Sequence, residues 1–138
     1  MQNYNSQETL AQEVKDKAIE QSFIAVQNGF GKVLSFDRYK EYLIGWTVHP
    51  VEYKQEIVGA VFSKGNELHI GVNGMWYPRK YIKNIIIPLF DSYDEIIVTV
   101  DNYNSKGLKW VMKLGWKVIK TSAVKTTLSL KKEYVWVS

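Results

Sequence analysis

Cysteine is absent from this 138-residue chain, which excludes disulfide bridges, thiol nucleophiles and cysteine-ligated zinc. Histidine is almost as scarce: His49 and His69 are the two imidazoles, too few for a histidine metal cage, and no metal is expected. No apolar run approaches the roughly 20 residues that a membrane-crossing helix requires. The opening MQNYNSQETLAQEVKDK is polar throughout, unlike a secretory signal. A soluble, intracellular protein without a membrane span is therefore expected. Internal repeats, linkers and low-complexity tracts are lacking as well.

What is present fits one globular domain spanning residues 1–138, with 46% hydrophobic and 23% charged residues. Aromatic residues are abundant, with 5 Trp, 9 Tyr and 5 Phe. Aromatic side chains commonly fill cores, so packing explains them better than base stacking does. A net charge of +4 and a pI near 9.1 allow nucleic acid or an acidic ligand as a partner through non-specific attraction. Basic residues cluster at Arg79–Lys83 and Lys125–Lys132.

Along the chain, Ser6–Asn28 is expected to be helical. Asn5 and Glu8 stand in capping-box relation, Gly29 is the stop, and Leu10, Val14, Ala18, Ile19, Phe23 and Val26 form a core-facing stripe. Gln12, Lys15, Asp16 and Glu20 form the solvated face. A shorter helix follows over Ser35–Ile44, with Ser35 as cap. Trp46–Val48 reads as a short strand in an irregular segment, and Pro50 forces His49 towards an extended backbone. Glu56–Ser63 and Glu67–Asn73 form a hairpin around Lys64-Gly-Asn66. Gly59 and Gly71 inside its strands mark places where another group comes close to the backbone. Pro78 opens a third helix that Pro88 kinks or ends, with Ile82, Ile85, Ile86 and Leu89 buried. The chain finishes with strands over Trp116–Thr121 and Thr126–Val137. The fold class implied is α+β, with helices flanking a mixed, mostly antiparallel sheet.

The most informative stretch is Glu95–Trp116. Glu95-Ile-Ile-Val-Thr-Val-Asp101 reads as a buried strand, Asp101–Ser105 as a polar turn, and the rest as a short helix capped by Asn104 or Ser105 and stopped at Gly115. This unit resembles the acyl-CoA-holding motif of the GNAT (GCN5-related) N-acyltransferases, N-x-x-(A/S)-x-x-x-Y-x-x-x-G-F. Asn104 matches its Asn, and Gly115-Trp116 matches its Gly-aromatic pair. The order of elements is also that of the family, apart from a first strand before the opening helix.

The resemblance implies direct attack of an amine on acyl-CoA, with acetyl-CoA as cofactor. The pantetheine would lie between splayed parallel strands, here Glu67–Asn73 and Glu95–Asp101. The pyrophosphate would sit at the start of the helix near Pro78. Val72, Asn73, Gly74, Arg79, Lys80 and Asn104 are the implied cofactor-binding residues, although helix capping explains Asn104 equally well. Glu67 and His69 share a strand face and are the candidate general bases, while Tyr103 is the nearest candidate acid. Two departures stand out. The family's R/Q-x-x-G-x-G/A phosphate loop is replaced by Asn73-Gly-Met-Trp-Tyr-Pro-Arg79, and its acidic Tyr by Val111.

A second resemblance, through Arg79-Lys80, Tyr93-Asp94 and Leu114-Gly115, is to GNAT-like internal virion proteins of short-tailed bacteriophages. It implies a non-catalytic scaffold with a phage or host protein partner, in a virion or the host cytoplasm. A nucleic-acid-binding or modifying relative is the third reading.

Overall fold

The computed structural model describes residues 2–29, 35–72, 79–102 and 104–134, with residues 2–9, 28–29, 79–82 and 134 described as backbone. Helix α1 (Gln2–Gly29) and helix α2 (Phe36–Tyr42) precede strands β1 (Thr47–Tyr53), β2 (Glu56–Lys64) and β3 (Glu67–Val72). Helix α3 (Arg79–Ile86) runs into a 3₁₀ turn at Ile87–Asp91, where Pro88 ends the regular helix. Strand β4 (Glu95–Asp101), helix α4 (Ser105–Lys113) and strands β5 (Lys117–Thr121) and β6 (Lys125–Lys131) complete the order. The strands form one mixed sheet in the order β1-β2-β3-β4-β6-β5, so the fold is α+β as expected.

Alternation along the strands divides the core into two layers. Val61, Leu68, Ile96, Val98, Leu128 and Leu130 point to the face that carries Ile86 of α3 and Val111 and Leu114 beside α4. Ala60 and Phe62 point to the opposite face, against Ala18 and Val26 of α1 and Tyr39 of α2. Glu67, His69 and Gly71, out of phase with Leu68, therefore share the α1–α2 side. Gly71 lets the helix sit down there, because a Cβ on it would lie 2.6 Å from Ser22 Oγ and 3.0 Å from the Ser22 carbonyl oxygen. A Cβ on Gly59 would lie 2.2 Å from the Gly71 carbonyl oxygen. Both glycines thus stand where the sequence placed close approaches.

Several expectations need correction. Helix α1 begins at Gln2, so Asn5 lies inside it and the Asn5–Glu8 box does not open it. Leu10 and Val14 are 59% and 39% exposed rather than core-facing. A helix of 28 residues is about 42 Å long and overshoots the sheet it packs on. Strand β1 is longer than expected and runs through Pro50. Among the described residues β1 is an edge of the sheet, the place where a strand proline is tolerated. A tight turn at Lys54 and Gln55, with φ of 51° and 68°, joins it to β2, so the expected β2–β3 hairpin is present and is extended into a three-stranded meander. Strand β6 stops at Lys131, and Tyr134 belongs to a 3₁₀ turn rather than to the strand; Trp136 lies outside the described residues.

Strand β4 has the expected bounds. The Asn104 side chain caps α4 by accepting the Gly107 N–H at 2.9 Å. Ser35 likewise caps α2, accepting the Arg38 N–H at 3.2 Å. Gly115, with φ of 106°, turns the chain out of α4 into the buried Trp116.

Candidate active site

The parallel pairing of β3 with β4 is confined to Glu67↔Ile97 and Leu68↔Val98. Asn66 brackets it: its carbonyl accepts the Ile97 N–H at 2.8 Å, and its Nδ2 donates to the Glu95 carbonyl at 3.1 Å. Beyond Leu68 and Val98 the two strands continue to Val72 and Asp101 without pairing to each other. Their outer ladders remain intact, β3 with β2 and β4 with β6. The result is a wedge in the sheet, closed at Asn66 and open towards the C-terminal ends of both strands.

A cavity of about 200 Å³ lies over the closed end of this wedge on the α1–α2 side, lined by Tyr42, Trp46, Glu67, His69, Thr99 and Lys125 among others. Helix α2 and the turn after it supply the aromatic wall. Tyr42 and Trp46 stack with ring centroids 5.9 Å apart, and Tyr42 meets the His69 ring edge-on at 5.8 Å. The far side of the His69 ring rests on Phe62, 5.5 Å away.

His69 is held by a chain of hydroxyls. Its Nε2 is 2.9 Å from the Tyr39 hydroxyl, which is hydrogen-bonded in turn to Ser22 Oγ. Ser22 is buried, so the chain ends inside the protein. Tyr39 engages Nε2, which leaves Nδ1 as the nitrogen for a ligand. Desolvation lowers the His69 pKa to about 4, so the ring is neutral at physiological pH. Burial chiefly, with a smaller effect of Tyr42, raises the Tyr39 pKa and keeps that hydroxyl protonated. The Tyr42 pKa is also raised, first by burial and then by the charges of Glu67 and Asp101.

Of the residues singled out in the sequence, Glu67 and His69 meet in this cavity. Val72 ends β3 on the diverging edge, half-buried against the core of the opposite face. Asn104 is a helix cap through its Oδ1. Arg79 and Lys80 open α3, their side chains not being described; Asn73, Gly74 and Tyr103 lie outside the described residues. Val111 is buried in the core, 3% exposed, and brings no hydroxyl to the site. Ser22, Tyr39, Tyr42 and Trp46 were not foreseen. Their one signal was a serine within the apolar row Ala18–Ser22–Val26 and a Tyr39–Tyr42 pair at helical spacing. The basic run Lys125–Lys132 is not a bare stripe, because Lys125 pairs across the ladder with Asp101 and Lys131 with Glu95. A larger open depression of about 640 Å³ at Asp94, Glu95 and Lys131–Glu133 offers charges but, among the described residues, no imidazole or aromatic ring.

No family model matches the sequence, and no curated protein matches it. Solved structures do match. PH1933 from Pyrococcus horikoshii superposes with a TM-score of 0.61 at 15% identity, over 84% of this chain and 91% of that one. A probable acetyltransferase from Staphylococcus epidermidis gives 0.59 at 14% identity, over 88% and 94%. The Campylobacter jejuni N-acetyltransferase PseH, in complex with acetyl coenzyme A, gives 0.55 at 14% identity, over 82% and 91%. These matches lend no support to the bacteriophage resemblance. No described helix is long and apolar enough to cross a membrane.

Proposed function

We propose that this chain, which has the fold of the GNAT N-acetyltransferases, binds an acyl-coenzyme A along the β3–β4 wedge and transfers its acyl group to an amine in the adjoining cavity. The observation that carries this reading is the parallel ladder that stops after two residue pairs. Main-chain N–H and C=O groups on the diverging edges of His69–Val72 and Thr99–Asp101 face a gap instead of a strand, and backbone polar groups require partners. The amides of a pantetheine arm fit that requirement. Helix α3, with Arg79 and Lys80 in its first turn, receives the phosphates by its N-terminal dipole and side-chain charge, with Asn73 and Gly74 in the preceding segment. Asn104 fixes the start of α4 near the open end of β4.

Bound acyl-CoA supplies the activated carbonyl. Neutral His69 takes the proton that the amine sheds, its ring held by Tyr39 and Phe62. Because that imidazolium is disfavoured by burial, the proton passes on to Glu67 and solvent rather than inward to Ser22. The C–S bond breaks as the amide forms, and Tyr42, whose hydroxyl is held protonated at the cavity wall, gives its proton to the departing thiolate and regains one from solvent, the part that Val111 cannot play.

Calorimetric titration with acetyl-CoA tests the reading. Micromolar binding is expected, lost in Arg79→Ala/Lys80→Ala, whereas no binding at millimolar ligand overturns it. His69→Gln is expected to bind acetyl-CoA as the parent does but to lose about 10²-fold in transfer rate. Val111 in place of the family's Tyr favours a second reading, a binder of acyl-CoA without transfer. Tight binding with no consumption of any amine selects it.

A further inference from the structure

We propose that the cavity beside His69 selects a small zwitterion, an aminocarboxylic acid, with its ammonium against Glu67 and the aromatic wall and its carboxylate on Lys125. The inference rests on that cavity being the acceptor side of the site described above, and it names the class of acceptor.

The walls of the cavity differ in charge. On the β3 side lie Glu67 and the stacked pair of exposed Tyr42 and half-buried Trp46. A carboxylate beside aromatic faces favours a cation, through Coulomb attraction and the ring quadrupole. On the β6 side lies Lys125, with the Thr99 hydroxyl of β4 between. Glu67 stands beside Ile97 of β4 and Lys125 beside Asp101, so their backbones lie two strand spacings across and four residues along the sheet, about 16 Å apart. From those positions the Glu67 and Lys125 side chains both line the cavity, which leaves room between their charged ends for two opposite charges a few carbons apart, each with its partner at hydrogen-bond distance. Neither Glu67 nor Lys125 forms an ion pair among the described residues; Asp101 faces Lys125 across the ladder, and the ligand's carboxylate competes with it for that ammonium. A simple alkylamine would leave Lys125 unused and facing another cation. An anionic acceptor without a positive centre would meet Glu67. The volume, about 200 Å³, is of amino-acid size rather than that of a peptide or a sugar nucleotide.

The test uses glycine betaine and choline as probes, in calorimetric titrations of the full chain without acyl donor. Betaine carries both charges and choline the positive one, and neither has an N–H to acylate. Failure of acyl transfer or of acetyl-CoA binding therefore leaves the result readable, and the reverse holds too. Betaine is expected to bind at least tenfold more tightly than choline. Lys125→Met is expected to remove that preference, and Glu67→Gln to weaken both ligands. Both substituted side chains are exposed, and thermal melts verify that the variants fold. Equal affinity for the two probes overturns the proposal. So does betaine binding that neither substitution alters, or no heat from either probe at roughly 50 mM.

Discussion

Gly71→Ala is the substitution whose cost the structure defines most sharply. The added Cβ would lie 2.6 Å from Ser22 Oγ, 3.0 Å from the Ser22 carbonyl oxygen and 3.1 Å from Ser22 Cβ. Rotating Ser22 relieves the first contact at the cost of its buried hydrogen bond to Tyr39, worth about 1–3 kcal/mol when a partner is left unsatisfied. The other two contacts involve atoms that rotation does not move, so α1 must also lift from β3, and such overpacking typically costs about 1–3 kcal/mol. A destabilisation of about 2–6 kcal/mol is expected, or a fall in Tm of about 7–20 °C for a chain of this size. Urea unfolding followed by circular dichroism measures it. Ser22→Ala removes the 2.6 Å contact, so the double variant is expected to fall short of the sum of the singles by more than about 0.5 kcal/mol. A Gly71→Ala protein within about 0.5 kcal/mol of the parent, or strict additivity, refutes the account of how α1 meets the sheet.

Asn104→Ala is expected to cost about 1 kcal/mol through the lost cap on α4, read as a shift of the urea midpoint at constant slope. His69 adds a pH dependence of definite sign. Its folded pKa lies at about 4 against 6.5 in the free side chain, so the unfolded chain takes up the proton first as pH falls. Its contribution is complete above about pH 6.5 and is lost between there and about pH 4, on the order of 3 kcal/mol. The His49 pKa is also lowered by burial, so its contribution has the same sign. His69→Gln should therefore flatten the stability profile between pH 4 and 6.5 without abolishing its slope, and an unchanged profile counts against a buried neutral ring.

How much of this was legible depends on whether the determining contacts were local. Strand β4, the caps at Asn104 and Ser35 and the stop at Gly115 depend on residues within one turn of each other, and the sequence carries them openly. The β1–β2 turn escaped because Lys54 and Gln55 adopt positive φ without the Gly or Asn that usually marks it. Pro50 concealed β1, since its tolerance depends on β1 being an edge, which is a property of the whole sheet. The pairing of Glu67 with His69 followed from strand alternation alone. The hydroxyl chain that holds His69 joins Ser22, Tyr39 and His69 from three separate elements, and no spacing along the chain encodes that.

The brevity of the β3–β4 ladder has a mechanical consequence. Two half-sheets, β1–β2–β3 under α1 and β4–β6–β5, are stitched by two residue pairs and the Asn66 clasp. The seam has fewer paired residues than any other junction in the sheet, and amides beside it should exchange with solvent ahead of those in either half. A molecule lodged across it works as a strut, and at a hundredfold excess over its dissociation constant adds about 2.7 kcal/mol of stability. Occupancy and rigidity are then one property of this protein, measured in the same experiment.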